Sequence, residues 1–146
     1  KREKLFDLII ENAVAYSIQM VSPQEIDRIN ILNASLTGMK RAVENLGITP
    51  DIVLIDGNKT PKDMLCETRA VVKGDANSMS IAAASILAKT YRDDYMNDIA
   101  KEYPQYGWCE NKGYPTKAHR NAIREFGITP HHRKSFQLLD CQLTLF

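Results

Sequence analysis

Two aspartates, each placed where an apolar run stops, are the residues of this chain best suited to chemistry. Asp56 closes Ile52-Val53-Leu54-Ile55 and is followed by Gly57-Asn58; Asp75 closes Ala70-Val71-Val72 through Lys73-Gly74. Open α/β sheets collect their ligands beyond the carboxyl ends of strands, so an acid there sits where reactions are run. Taken singly, either Asp reads equally well as a turn former, because Asp-Gly is common turn chemistry. The pair together favours function.

The elements that must hold these acids follow from periodicity. Ile52 to Ile55 is a continuous aliphatic run, which predicts a strand buried on both faces. Asn58 to Thr68, with Pro61 and several charges, reads as a loop leading to the second strand. Earlier in the chain, Leu5, Leu8 and Ile9 form a helical stripe ending near Asn12, and the alternation of Val14, Tyr16, Ile18 and Met20 from Ala13 to Val21 predicts a strand. Ser22-Pro23-Gln24-Glu25 is a capping box. One long helix is expected from it, carrying Ile29, Leu32, Leu36, Met39, Val43 and Leu46 and stopped by Gly47. After Asp75, with Asn77 or Ser78 as its cap, a helix rich in small residues is expected to run through Tyr91 and Tyr95 to Tyr103-Pro104. Its start places unpaired backbone N–H groups and a positive dipole end near Asp75. Lys89 and Arg92 lie three apart on it, within reach of a phosphate; a solvated edge with Arg92 paired to a carboxylate is the competing reading. Thr116 to Glu125 forms a short helix ended by Gly127.

With 146 residues the chain has the size of one domain with a genuine core. Lys and Arg total 19 against 18 Asp and Glu, so no global basic excess marks a nucleic-acid binder. Locally the balance shifts. From Glu110 to Lys134 six basic residues (Lys112, Lys117, Arg120, Arg124, Arg133, Lys134) face two Glu, interleaved with Tyr114 and Phe126, a combination that suits a nucleic-acid backbone. Cys66, Cys109 and Cys141 are odd in number and widely spaced, against both a disulfide framework and a zinc site. That cysteine usage makes a reducing, cytoplasmic setting the default, and no run approaches a membrane span, so no membrane partner is expected. Lys1-Arg2-Glu3-Lys4 enters a helical pattern with no cap before it, which reads as a start in mid-helix.

Five blocks in order, LIDGN (54–58), VVKGD (71–75), AASILAKTYRD (83–93), PQYGWCENKGYPTKAH (104–119) and HHRKSF (131–136), make the chain resemble bacterial ribonuclease HII. The resemblance implies an α/β, ribonuclease H-like mixed sheet flanked by helices, with a C-terminal helical segment. It implies an endonuclease that hydrolyses the RNA strand of RNA–DNA hybrids and nicks at ribonucleotides embedded in duplex DNA. Four carboxylates hold two Mg²⁺ or Mn²⁺ ions in that family, and Asp56 and Asp75 match two of the four. Two ions ~3.5–4 Å apart need several acids, one ion activating water and the other stabilising the leaving oxygen. The family's first strand, with adjacent Asp and Glu followed by Gly-Arg-Gly, has no match here. N-terminal strands are therefore expected to be missing, and the 146 residues alone are expected to be inactive. Tyr114 in KGYPT matches the tyrosine that reads the ribonucleotide 2′-hydroxyl; Lys89 and Arg92, from their spacing on the helix, are the further candidate substrate-binding residues.

His119, His131 and His132 are read as structural or phosphate-touching rather than metal ligands, and Asp93 and Asp94 as helix salt-bridge partners. Residues 1–136 are expected to form the catalytic domain and 137–146 a tail. In that tail Gln142, Leu143, Leu145 and Phe146 resemble the peptide that binds the bacterial sliding clamp; a tail folded onto its own core is the other reading. The alternative to an enzyme is a non-catalytic module that binds hybrids or the clamp with the same surface. An unrelated α/β phosphate-binding protein leaves the five ordered blocks unexplained.

Overall fold

The computed structural model describes residues 1–136, so the expected clamp-binding tail lies outside the described residues. Helices α1 (Arg2–Asn12), α2 (Pro23–Ile29) and α3 (Ile31–Glu44) precede strands β1 (Ile52–Asp56) and β2 (Glu67–Val71). There follow α4 (Gly74–Asn77), α5 (Met79–Glu102), a 3₁₀ turn at Pro104–Tyr106, α6 (Trp108–Asn111) and α7 (Lys117–Phe126). The chain divides into two compact units: residues 1–21 with 32–91, and residues 22–31 with 92–136.

In the first unit β1 and β2 pair in parallel, Ile52 opposite Glu67 through Asp56 opposite Val71. The loop between them contains no helix, and β2 begins at Glu67, so the expected loop and strand boundary shifts by two residues. Burial differs from expectation too. Only Ile55 of β1 is buried, while Ile52 and Leu54 are each 36 % exposed. A continuous apolar run specifies a strand covered on both faces only if neighbours arrive to cover it. The expected strand from Ala13 to Val21 is likewise absent: the segment has no ladder partner, and Val14 is 93 % exposed. Alternation marks a half-covered strand, but a strand exists only when a second one supplies its hydrogen bonds.

The single long helix from Pro23 is in fact two. Ser22 caps α2 as the sequence indicates, its hydroxyl accepting the Glu25 N–H at 3.1 Å with Pro23 at the first position. The break falls at Asn30, whose φ of 69° ends α2. Asn tolerates that region better than any β-branched neighbour, and the break leaves α2 in the second unit while Leu32 onward belongs to the first. Helix α3 ends at Glu44, so Leu46 lies outside it and the helix stops three residues before Gly47, whose positive φ (79°) belongs to the turn that follows rather than to a cap.

The second unit has the larger core. Met96, Ile99 and Ala100 of α5 pack with Tyr106, Trp108, Ala122 and Ile123, and Tyr95, Tyr103 and Ile128 close its edge. Thr116 caps α7 by accepting the His119 N–H at 3.2 Å, and Gly127 ends the helix. Helix α2 is tied to the chain after α7 by Gln24 Nε2 donating to the Pro130 carbonyl (2.7 Å). Asp27 accepts from Lys134 N–H, Ser135 N–H and Ser135 Oγ–H at 2.6–2.9 Å. No helix among the described residues is long and apolar enough to cross a membrane.

Candidate active site

The two acids are joined by one backbone turn. Asp56 ends β1, exposed, and its Oδ1 accepts the Gly74 N–H at 2.8 Å; the ladder extends one step further through Gly57 N–H to Val71 carbonyl (3.0 Å). Asp75 is the next residue after that donor. It lies in the first turn of α4 rather than directly at the end of β2, which corrects its expected placement at a strand end. Lys73, at φ 52° and ψ 44°, turns the chain from β2 into α4.

Gly74 makes this approach possible. A Cβ built there would lie 2.5 Å from Ile81 Cδ1, 3.3 Å from Ile81 Cγ2 and 3.4 Å from the Asp56 Cα, so the buried glycine lets helix, turn and strand close on one another. Asn77 holds the turn from behind, donating to the Lys73 carbonyl at 2.9 Å. It is therefore not the cap of the long helix. Ser78 is, its hydroxyl accepting the Ile81 N–H at 3.4 Å.

The donors present are hard oxygens on an exposed turn. Oδ2 of Asp56 and both oxygens of Asp75 accept no hydrogen bond among the described residues. Such a pair suits a hydrated Mg²⁺ or Mn²⁺ that keeps several waters and shares oxygens of a substrate phosphate. Among the described residues no cluster of three or more His, Cys, Asp or Glu is placed to hold a metal.

In the second unit Tyr114 stands 67 % exposed on a turn whose backbone is held by one side chain. Asn111 Oδ1 accepts the Gly113 N–H (2.8 Å), Asn111 Nδ2 donates to the Tyr106 carbonyl (2.7 Å), and the Asn111 carbonyl accepts the Tyr114 N–H (2.9 Å). Two consecutive left-handed residues, Lys112 (φ 51°) and Gly113 (φ 84°), reverse the chain, and Lys112 Nζ donates to Asn97 Oδ1. The Arg92 guanidinium lies over the Tyr114 ring, 5.8 Å from its centroid. Among the described residues Arg92 forms no ion pair with a carboxylate. Lys89 is exposed on the same helix.

The histidines are structural in their contacts. His119 is buried with Nδ1 3.2 Å from the Tyr106 carbonyl, His131 Nδ1 meets Tyr95 Oη–H at 2.8 Å, and His132 Nδ1 accepts the Thr129 N–H at 2.9 Å. Cys66 and Cys109 are free thiols. Asn111 and Asp27 were not legible as supports; an Asn followed by Lys-Gly before an exposed aromatic is the signal that points to the first.

A sequence model of the ribonuclease HII family matches residues 1–139. The ribonuclease HII of Parabacteroides distasonis is 60 % identical over 146 residues, covering 99 % of this chain and 73 % of that protein. The chain belongs to the ribonuclease HII family. The Bacteroides thetaiotaomicron ribonuclease HII is 55 % identical over 99 % of this chain and 73 % of its own. The crystal structure of the ribonuclease H2 from Pyrococcus horikoshii OT3 superposes with a TM-score of 0.78 at 25 % identity, covering 94 % of this chain and 72 % of that one. The ribonuclease HII fold, α/β and ribonuclease H-like, is thus shared beyond close relatives. It makes this chain a hydrolase of the ribonuclease H class.

Proposed function

We propose that the chain is the part of an endonuclease that hydrolyses the RNA strand of RNA–DNA hybrids and nicks at single ribonucleotides in duplex DNA, with Asp56 and Asp75 as metal ligands. The observation that carries this reading is the Asp56–Gly74 hydrogen bond, which fixes one acid against the turn bearing the other. Divalent ions, two in a complete site, supply an activated water and stabilise the leaving oxygen. Asp56 and Asp75 hold one face of that charge. Tyr114 offers a ring and a phenol to a ribonucleotide, the 2′-hydroxyl being the group that separates RNA from DNA at one position. Lys89 and Arg92 take backbone phosphates. The tail residues Gln142, Leu143, Leu145 and Phe146 belong to the same proposal as a sliding-clamp peptide.

With two acids facing two dications, these 146 residues by themselves do not turn over. Incubation with a labelled hybrid in Mg²⁺ or Mn²⁺ tests this, and cleavage that Asp56→Asn abolishes would overturn it. In the protein supplied with the family's Asp-Glu and Gly-Arg-Gly segment, cleavage beside a single ribonucleotide is restored. There Tyr114→Ala lowers that cleavage by roughly 10–100-fold, the worth of one stacked and hydrogen-bonded group, while the melting temperature stays near that of the parent because the ring is exposed. An unchanged rate removes Tyr114 from substrate recognition.

A further inference from the structure

Arg133 is a half-buried cation without an acceptor among the described residues. Its guanidinium lies 3.8 Å over the centroid of the Phe136 ring, and none of its N–H groups makes a hydrogen bond among the described residues. Asp27 is the acid facing this loop, and its oxygens already take three donors from Lys134 and Ser135. A guanidinium partly withdrawn from water and stacked flat on an aromatic ring presents its fork of N–H donors in a fixed plane, the arrangement that matches a phosphate.

A second guanidinium is carried by α5, the helix to which this loop is hydrogen-bonded. The hydrogen bond between Tyr95 and His131 seats the loop bearing Arg133 on α5, and Tyr95 lies three residues after Arg92, on the same helix face. Burial first, and then the positive charge of Arg92, holds the Arg133 pKa below the usual arginine value. Arg92 in turn covers the Tyr114 ring, with its Nη2 3.4 Å from where a Gly113 Cβ would be. Each of the two guanidinium groups lies over its own aromatic ring, on elements joined by the Tyr95–His131 hydrogen bond, and an anion shared between them would relieve both charges.

We propose that Arg92 and Arg133 form a two-guanidinium receptor for one backbone phosphate of the bound nucleic-acid strand, next to Tyr114, with Asp27 positioning the Arg133 loop. The inference rests on the nucleic-acid reading above and adds to it a residue, a pairing and a ligand atom group. It also accounts for the acid Asp27, whose carboxyl is held below its usual value by the hydrogen bonds from Ser135 and Lys134 despite an opposing desolvation.

The test is equilibrium binding of the full chain to a labelled duplex with one embedded ribonucleotide, in Ca²⁺, across a salt series. Arg133→Met keeps the aliphatic packing on Phe136 and removes the charge. It should weaken binding roughly tenfold or more, as for a lost charge-assisted contact, and reduce the salt slope by about one phosphate. Arg133→Lys, which keeps charge but not the fork, should fall between. A series of duplexes each carrying one neutral methylphosphonate should contain a position that weakens the parent chain but not Arg133→Met. Inorganic phosphate should compete only at concentrations far above the duplex, distinguishing a strand phosphate from a free anion. If the parent binds the duplex and Arg133→Met binds it with the same affinity and slope, the receptor is wrong while the nucleic-acid reading stands. If the parent binds neither hybrid nor duplex, the nucleic-acid reading fails and the receptor with it.

Discussion

Asp56→Asn and Asp75→Asn are each expected to lower hybrid hydrolysis by the active full-length protein by on the order of 10³-fold or more, comparable to losing a central electrostatic contact in a transition state. Asn keeps the shape and, at position 56, still accepts the Gly74 N–H through its amide oxygen, so the turn survives. What disappears is the negative charge that would face the proposed ion. The measurement is single-turnover cleavage in Mg²⁺, paired with Mn²⁺ binding by electron paramagnetic resonance as a readout independent of turnover. Both variants should bind Mn²⁺ more weakly and retain the parent's circular dichroism. Rates within tenfold of the parent would remove these acids from the metal site. A contrast between the two is also expected. Among the described residues Asp56 has one oxygen engaged by the backbone and Asp75 neither, so under the proposed ligand roles the loss of Asp75 should be the larger of the two.

Acid should unfold the second unit first. His132 is 6 % exposed, stacked on His119 with ring centroids 5.3 Å apart and tilted against Trp108 at 5.2 Å. Burial, and then the neighbouring His119, lowers its pKa from 6.5 to about 4. His119 is shifted down as well, by burial. Between pH 6.5 and about 4 the unfolded His132 takes up a proton that the folded one refuses. Its contribution to stability is complete above that window and is lost as the pH falls through it, about 3 kcal/mol in all at one pKa unit per 1.36 kcal/mol. Trp108, the single tryptophan of the chain and 2 % exposed, reports the event by fluorescence. Urea midpoints should fall steeply from pH 6.5 to 4 in the parent and less steeply in His132→Gln, which keeps a polar side chain for Thr129 without titrating. Equal slopes in the two proteins would place the acid sensitivity elsewhere.

Neither the receptor at Arg133 nor the acid-sensitive core stands out in the chain as written. The basic stretch from Lys112 to Lys134 is visible by composition, yet its members have different fates. Lys112 is tied to Asn97, Arg124 donates to Asn121 at 3.0 Å, and Arg133 alone is laid over a ring with its donors unspent among the described residues. Composition counts charges; only packing decides which of them have been answered.

Taken by itself, the sequence determined whatever depends on neighbours a few residues away. The caps at Ser22 and Thr116, the stop at Gly127, the helix from Arg2 to Asn12 and the two acids following apolar runs all belong here, as does the family, legible in five ordered blocks. Capping and turn chemistry are local hydrogen-bond problems, so local residue types solve them. The tertiary structure alone decided what depends on distant partners. The segment from Ala13 to Val21 carries a strand's alternation without a strand, β1 carries a buried strand's composition with two exposed residues, and the helical stripe through Asn30 breaks where its halves join different units. It also joined Asp56 to Gly74 across eighteen residues and Asp27 to Ser135 across 108. A side chain's period states which face it prefers to bury; what arrives to cover that face, or to accept a hydrogen bond from it, is set by contacts that no short window contains.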